Sequence, residues 1–247
     1  MTKEIREESL VGSLVMGFGS AEPVALISLA SMGDMGFGNE KNRGRRQKWL
    51  KSLDVDPDYT ASVDLVHSRR VVEAASPDSC LGLEADGLCT AYPDKSGATR
   101  SLIITVADCM PIFMLDRNSG AIGLLHSGWM GTGILVEAAS FMARRYGTKA
   151  ADLAAIFGPC IGPCCYMVDE ARASVFENEF GSSAVVRSMD KTFLDLRAAN
   201  NAIADKLGLG TVIQAPFCTC CDERFGSYRR QGAASFTRMA AVLAYRQ

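Results

Sequence analysis

Apolar residues in this chain fall into short dense runs separated by glycine, proline and polar turns, a pattern that predicts buried strands interleaved with helices. Val11–Phe18 and Val24–Leu29 read as short strands, and Ala61–Val66 as another leading into His67. In the middle of the chain Ser101–Ala107, Ile112–Leu115 and Ala121–Leu125 are near-continuous apolar runs, the last two joined by a hairpin-like Asn118-Ser119-Gly120 turn. Leu153–Phe157 and Thr211–Gln214 complete the strands. Helical spacing predicts helices over Asn39 to Leu53, Thr132 to Tyr146, Asp169–Phe180 and Leu194–Leu207, the last closed by Gly208. The second of these places Leu135, Ala138, Ala139, Met142 and Tyr146 on one buried stripe. Strands and helices alternate without a regular βαβ rhythm, so the expected fold is α+β: layered mixed β-sheets flanked by helices. No internal repeat or Pro/Ser-rich linker interrupts the pattern, and residues 1–247 are expected to form a single domain.

Composition narrows the partners. A net charge of −2 gives no support for nucleic-acid binding. The early apolar stretch is broken by Gly17, Gly19, Glu22 and Pro23, which argues against a membrane span. Lys3, Glu4, Arg6, Glu7 and Glu8 do not form the positive leader of a signal peptide. Nine cysteines, with Cys164-Cys165 and Cys220-Cys221 adjacent, suit a disulfide framework poorly; the expectation is a cytoplasmic protein with free thiols. The basic side of the first helix, with Lys41, Arg43, Arg45, Arg46, Lys48 and Lys51, reads as a solvated face.

Candidate chemistry begins with scarcity. The chain has two histidines, His67 and His126, each ending an apolar run, with Ala107-Asp108-Cys109-Met110-Pro111 between them. Two imidazoles and one thiolate can hold zinc, with copper as the alternative ion, and leave one coordination position for a reactant. Chemistry that needs many imidazole ligands is excluded. The same residues also suit a metal-free hydrolase or amidase in which His126 activates Cys109 as a nucleophile. Asp108 serves either to orient a ligand or to cap its turn. Gly128, Gly131 and Gly133 precede a helix; such a cluster either exposes backbone N–H groups to an anion or makes a tight turn. Cys160, Cys164 and Cys165, and separately Cys218, Cys220 and Cys221, lack paired Cys-x-x-Cys spacing. They read as structural or pocket-lining thiols, not as a four-thiolate zinc site.

Several segments together resemble the laccase-domain family, labelled polyphenol oxidases and later purine nucleoside phosphorylases. They are Val66-His67 with Arg70-Val71-Val72, Ala85-Asp86-Gly87-Leu88, Thr105-Val106-Ala107-Asp108-Cys109-Met110-Pro111 and His126-Ser127-Gly128-Trp129-Met130-Gly131. Gly158-Pro159-Cys160-Ile161-Gly162-Pro163-Cys164-Cys165-Tyr166, Leu194-Asp195-Leu196 with Ala199-Asn200, and Phe225-Gly226-Ser227-Tyr228-Arg229-Arg230 continue the match. The resemblance implies zinc on His67, Cys109 and His126, and phosphorolysis of adenosine, inosine and methylthioadenosine together with adenosine deamination. Purine nucleoside and phosphate are then the small-molecule partners, and the expected assembly is a monomer or weak homodimer. Arg43, Arg229, Arg230 and the amides at Gly128 and Gly131 are candidate substrate contacts. Oxidase chemistry fits poorly, because two histidines cannot build a laccase copper cluster and only one adventitious copper remains for it. The chain departs from the family in lacking its early Thr-Arg-x-Gly-Gly segment, in Ser68 for a glycine, and in Met130 for an arginine beside the metal. A catalytically altered metal-binding member is therefore a further alternative.

Overall fold

The computed structural model describes residues 5–8, 12–19, 23–92 and 98–245. In chain order come β1 (Ile5–Glu8), β2 (Ser13–Gly17), β3 (Val24–Ser28), α1 (Glu40–Lys51), β4 (Thr60–Ala61), β5 (Val71–Glu73) and β6 (Gly87–Thr90). The centre contributes β7 (Ser101–Val106), β8 (Met110–Asp116), β9 (Ile122–Ser127), α2 (Ile134–Tyr146) and β10 (Leu153–Phe157). Then follow β11 (Met167–Val168), α3 (Glu170–Phe180), β12 (Val185–Ser188), β13 (Lys191–Leu194), α4 (Leu196–Leu207), β14 (Thr211–Gln214), α5 (Tyr228–Gln231) and β15 (Met239–Ala244).

Among the described residues the strands make three sheets. The first has the order β1-β2-β3-β15-β7-β4 and is antiparallel except where β4 joins β7. The second, β14-β10-β8-β9-β6-β5, is antiparallel inside and parallel at its two edge pairs. A small antiparallel sheet, β11-β13-β12, stands apart.

Side-chain alternation assigns the layers. Met239, Ala241 and Leu243 of β15 share a core with Phe113 and Leu115 of β8 and Ile156 of β10, so the two large sheets pack face to face. Ala240, Val242 and Ala244 point the other way, onto Trp49 and Leu50 of α1. Met110, Ile112 and Met114 of β8 meet Leu135 and Ala138 of α2, Phe176 of α3 and Ala199 of α4. Each large sheet is thus covered on both faces, which is why its strands are apolar runs and not alternating ones. Each large side chain so buried stabilises the fold by about 1.5–3 kcal/mol.

Helices α1, α3 and α4 begin where a side-chain oxygen satisfies free N–H groups: Asn39 accepts from Asn42, Asp169 from Arg172, and Asp195 from Arg197 and Ala198. Asp195 therefore starts α4 at Leu196, two residues later than the predicted Leu194–Leu207, and Leu194 belongs to β13. Ala61–Val66 is not one strand; only Ala61 pairs with β7, and the backbone then leaves the sheet to deliver His67. The basic face of α1 is only partly solvated. Arg43 is exposed, but Arg46 is buried and donates to the carbonyls of Met35 and Gly36, while Arg45 donates to that of Asp34. Strands β1, β5, β6, β11–β13 and β15 are not among those the sequence pattern predicts. Val11, Glu22 and the Lys3–Glu4 pair lie outside the described residues. No helix of the described residues is long and apolar enough to cross a membrane, and all nine cysteines are free.

Candidate metal centre

The turn from β7 to β8 steps from the first sheet into the second, and Cys109 sits in that step. His126 lies on β9 opposite Pro111 of β8, so strand pairing brings it back beside Cys109. His67 arrives from the loop after β4. One donor atom from each of the three lies within 4.8 Å of the others, and the two imidazole rings stand nearly perpendicular, centroids 4.9 Å apart. His126 is buried and His67 exposed, so the cluster is anchored in the core and open on one side. The turns that present it are strained: His67 has φ 59° and Asp108 φ 80°, a region that costs an ordinary side chain about 1 kcal/mol or more. Gly128 is required by space, since a Cβ there would stand 2.6 Å from the Cys109 sulfur.

Asp86, just before β6, holds the centre together. Its carboxylate accepts the backbone N–H groups of Val66 (3.3 Å), His67 (3.0 Å) and Ser68 (2.6 Å) and the Ser68 hydroxyl (2.8 Å). These bonds offset the strain at His67. The same carboxylate lies 2.9 Å from Nδ1 of His126, and its backbone oxygen accepts the His126 N–H. With Nδ1 committed to Asp86, Nε2 is the His126 nitrogen that can face a metal. Asp108, the residue considered for that role, does something else: it accepts from the Thr219 hydroxyl at 2.7 Å and the Arg229 amide at 2.7 Å, tying the β7–β8 turn to the C-terminal loops.

Electrostatics follow from this packing. Burial alone would raise the Cys109 thiol, but the imidazoles of His126 and His67 overcome it and hold the group down to about 6. Burial would lower His126; the neighbouring sulfur and the Asp86 carboxylate push it up to about 10. His67 is raised through its hydrogen bond to Cys109. Without a metal the centre is therefore a thiolate–imidazolium pair braced by a carboxylate. A thiolate, two imidazoles, a bracing carboxylate and an open side suit a borderline divalent ion, so His67, Cys109 and His126 can bind a metal.

The open side faces a cavity of about 840 Å³. Its walls include Phe37, Trp129, Tyr166, Tyr228 and Phe236, with Arg172, Arg229 and Arg238 as cations. Arg238 pairs with Asp34, and the Arg229 guanidinium donates to the carbonyls of Cys165 and Met167. Arg172 lies over the Trp129 ring at 4.3 Å and makes no ion pair among the described residues. Met130 also lines the cavity, 52% exposed. Of the residues singled out from sequence as substrate contacts, Arg229 lines the cavity, while Arg43, Gly128, Gly131 and Arg230 do not. The Arg230 guanidinium instead serves the carbonyls of Thr219, Cys220 and Phe225. Gly131 packs under the histidines, its missing Cβ leaving room for the carbonyls of His126 and Ser68. Asp86 and Arg172 were missed as functional candidates; Asp86 had stood only as part of a matching segment.

A carboxylate-braced His/Cys/His cluster that could hold a metal, opening on an aromatic and cationic cavity, is the arrangement of a site for a small molecule. Residues 27–246 match the family described as multi-copper polyphenol oxidoreductase laccase, and the chain belongs to that family. A purine nucleoside phosphorylase of Deinococcus radiodurans is 32% identical over 225 residues, covering 91% of this chain and 84% of that protein. One from Borreliella burgdorferi is 28% identical over 193 residues, 76% of each. Among solved structures, YlmD from Geobacillus stearothermophilus superposes with a TM-score of 0.85 at 25% identity, covering 99% of both chains. The hypothetical protein YfiH of Bacillus licheniformis also gives 0.85, at 24% identity over 98% of this chain and 99% of that one. The copper in the family's description sits uneasily with two histidines.

Proposed function

We propose that this chain is a zinc-dependent purine nucleoside phosphorylase, acting on adenosine, inosine or methylthioadenosine and also deaminating adenosine. The observation that carries this reading is the convergence of His67, Cys109 and His126 on a cavity whose aromatic walls suit a purine and whose Arg172, in no ion pair among the described residues and with no backbone carbonyl to serve as Arg229 has, suits phosphate. The volume falls in the range of small-molecule sites. The relatives named as purine nucleoside phosphorylases support the same class of reaction. We place the protein in the cytoplasm, as a monomer or weak homodimer.

A zinc ion held by His67, Cys109 and His126 would supply Lewis acidity and, for deamination, bring a water's pKa to about 7. Everything else falls to the protein's own groups. In phosphorolysis the bond between the sugar carbon and the purine nitrogen breaks, and a phosphate oxygen bonds to that carbon. The base leaves with the bonding electrons and takes up a proton. Phe37, Trp129 and Tyr228 are placed to stack the purine. In this reading Arg172, over the Trp129 ring, fixes phosphate in place of the arginine that Met130 replaces. Arg229 and the glycine-loop amides are auxiliary contacts; Arg43 and Arg230, which do not line the cavity, carry no substrate contact in it. Asp86 keeps His126 from turning.

Incubating the protein with adenosine and phosphate should release adenine and ribose 1-phosphate, separated by chromatography, with inosine as the deamination product. Arg172→Ala should raise KM for phosphate about tenfold, which is roughly 1.4 kcal/mol, with a smaller change for nucleoside. No adenine from any of the three nucleosides would end the phosphorylase reading. A second reading, Cys109 as a metal-free nucleophile, is favoured by the chain Cys109–His126–Asp86 and by the lowered thiol. The two separate cleanly: activity that survives chelation and dies with alkylation of Cys109 belongs to the thiol.

A further inference from the structure

Cys164 and Cys165 lie on the loop after β10, and Cys218 and Cys221 on the loop after β14. Each loop alone has the wrong spacing for a closed metal site. The fold removes that objection. β10 and β14 are parallel neighbours, so their C-terminal loops set out side by side: the backbones of Cys160 and Cys218 pair in an isolated parallel β-bridge, and the Thr219 N–H donates to the carbonyl of Cys160 at 3.0 Å. Gly162 lets the loops close up, since a Cβ there would stand 3.3 Å from the Cys164 sulfur and 3.4 Å from the Cys218 Cβ.

The four sulfurs of Cys164, Cys165, Cys218 and Cys221 all lie within 4.8 Å of one another. Cys221 is 3.3 Å from the sulfur of Cys165 and 3.5 Å from that of Cys164. A disulfide needs about 2.0 Å. Four thiolates at about 2.3 Å from a tetrahedral zinc are separated by about 3.8 Å. The cluster is too open for the first and needs shifts of about 1 Å or less for the second. A backbone amide, Gly162 N–H, already donates to the Cys218 sulfur at 3.2 Å, the kind of bond that stabilises sulfur as a thiolate.

We propose that Cys164, Cys165, Cys218 and Cys221 form a second metal centre, a closed four-thiolate site for zinc, separate from the His/Cys/His centre. Its role is structural. Arg229 donates to the carbonyl of Cys165, Arg230 to those of Thr219 and Cys220, and Thr219 to the Asp108 carboxylate next to Cys109. An ion across the two loops locks the cavity wall that carries Tyr166, Tyr228 and Arg229. The proposal does not depend on which reaction the cavity hosts.

The test counts metal. Protein purified under reductant, stripped with chelator and reloaded with zinc should hold two ions per chain by mass spectrometry of the metal. The double variant Cys164→Ser/Cys221→Ser should hold one, and so should His126→Ala. Cobalt(II) loaded into the wild type should give the intense visible bands of tetrahedral geometry and a strong sulfur-to-metal charge-transfer band. Most of that charge-transfer intensity should vanish in the double cysteine variant, while the weaker band from Cys109 stays. A single zinc in fully reduced wild type that the double variant keeps and His126→Ala loses, or two zinc ions retained by the double variant, overturns the proposal. So does a disulfide between Cys221 and Cys164 or Cys165, mapped in protein isolated without reductant that carries one zinc.

Discussion

One carboxylate does more for the candidate centre than any ligand does. Asp86 accepts three backbone N–H groups from the His67 turn and fixes Nδ1 of His126, so it sets the position of one donor and the orientation of another. Burial would raise this acid, but its bonds from His126 and Ser68 hold it below the usual carboxylate range, and it is charged at neutral pH. Asp86→Asn keeps the shape but loses the charge and one strong acceptor. Zinc affinity, measured by competition with a chromogenic chelator, is expected to fall about 10- to 100-fold, the cost usual for removing a bond behind a metal-ligating histidine. Unchanged affinity would leave Asp86 a fold residue only. Gly128→Ala tests the same centre from the other side. Its Cβ collides with the Cys109 sulfur, so metal binding should be lost while thermal unfolding of the apoprotein shifts little.

At the level of elements, the helix that seals the first sheet is the polar α1, which buries Trp49, Leu50, Asn42 and Arg46. Trp49 is 1% exposed and its indole N–H donates to Ser13 at 3.0 Å. Trp49→Ala should cost about 3–5 kcal/mol in urea unfolding and leave the metal count unchanged, because no ligand rides on α1. A loss of metal with the tryptophan would mean that α1 supports the centre through Phe37 and Asn42. The elements also show where sequence reading stops. His67, Cys109 and His126 were legible because they are scarce and each closes an apolar run. Asp86 was not, because its task exists only once β6 pairs with β9 and sets Gly87 opposite Leu125. The alanine-rich Met239–Ala244 run fits helix or strand equally well, and only its place between β3 and β7 decides the matter. The thiol loops were judged one at a time, whereas the parallel pairing of β10 with β14 makes them one cluster.

For the molecule as a whole, the centre links protons, metal and stability. In the folded chain without metal, His126 is held up to about 10 and Cys109 down to about 6. Unfolded, the imidazole titrates near about 6.5 and the thiol near about 8.5. Between about pH 7 and 8 each state thus carries one proton on the pair, on nitrogen when folded and on sulfur when unfolded, and the pair adds no slope to stability. Outside that window the signs differ. The stability from the raised His126 is complete below about pH 6.5 and lost as pH climbs through about 10; that from the depressed Cys109 is present above about 8.5 and lost as pH drops through about 6. A metal needs neutral imidazole beside the thiolate, so binding at pH 7 to 8 must expel the His126 proton. Affinity should then rise about tenfold per pH unit, and the stabilisation by saturating zinc should grow by about 1.4 kcal/mol per unit. The measurement is calorimetric titration in two buffers of different ionisation heat, using the Cys164→Ser/Cys221→Ser background so that the His/Cys/His centre is counted alone. About one proton released per ion is expected, and somewhat more if His67, also raised, contributes its own. Binding without proton release, at an affinity flat in pH, would show that the apo pair is already a neutral imidazole beside a thiolate and that the ion pair does not exist.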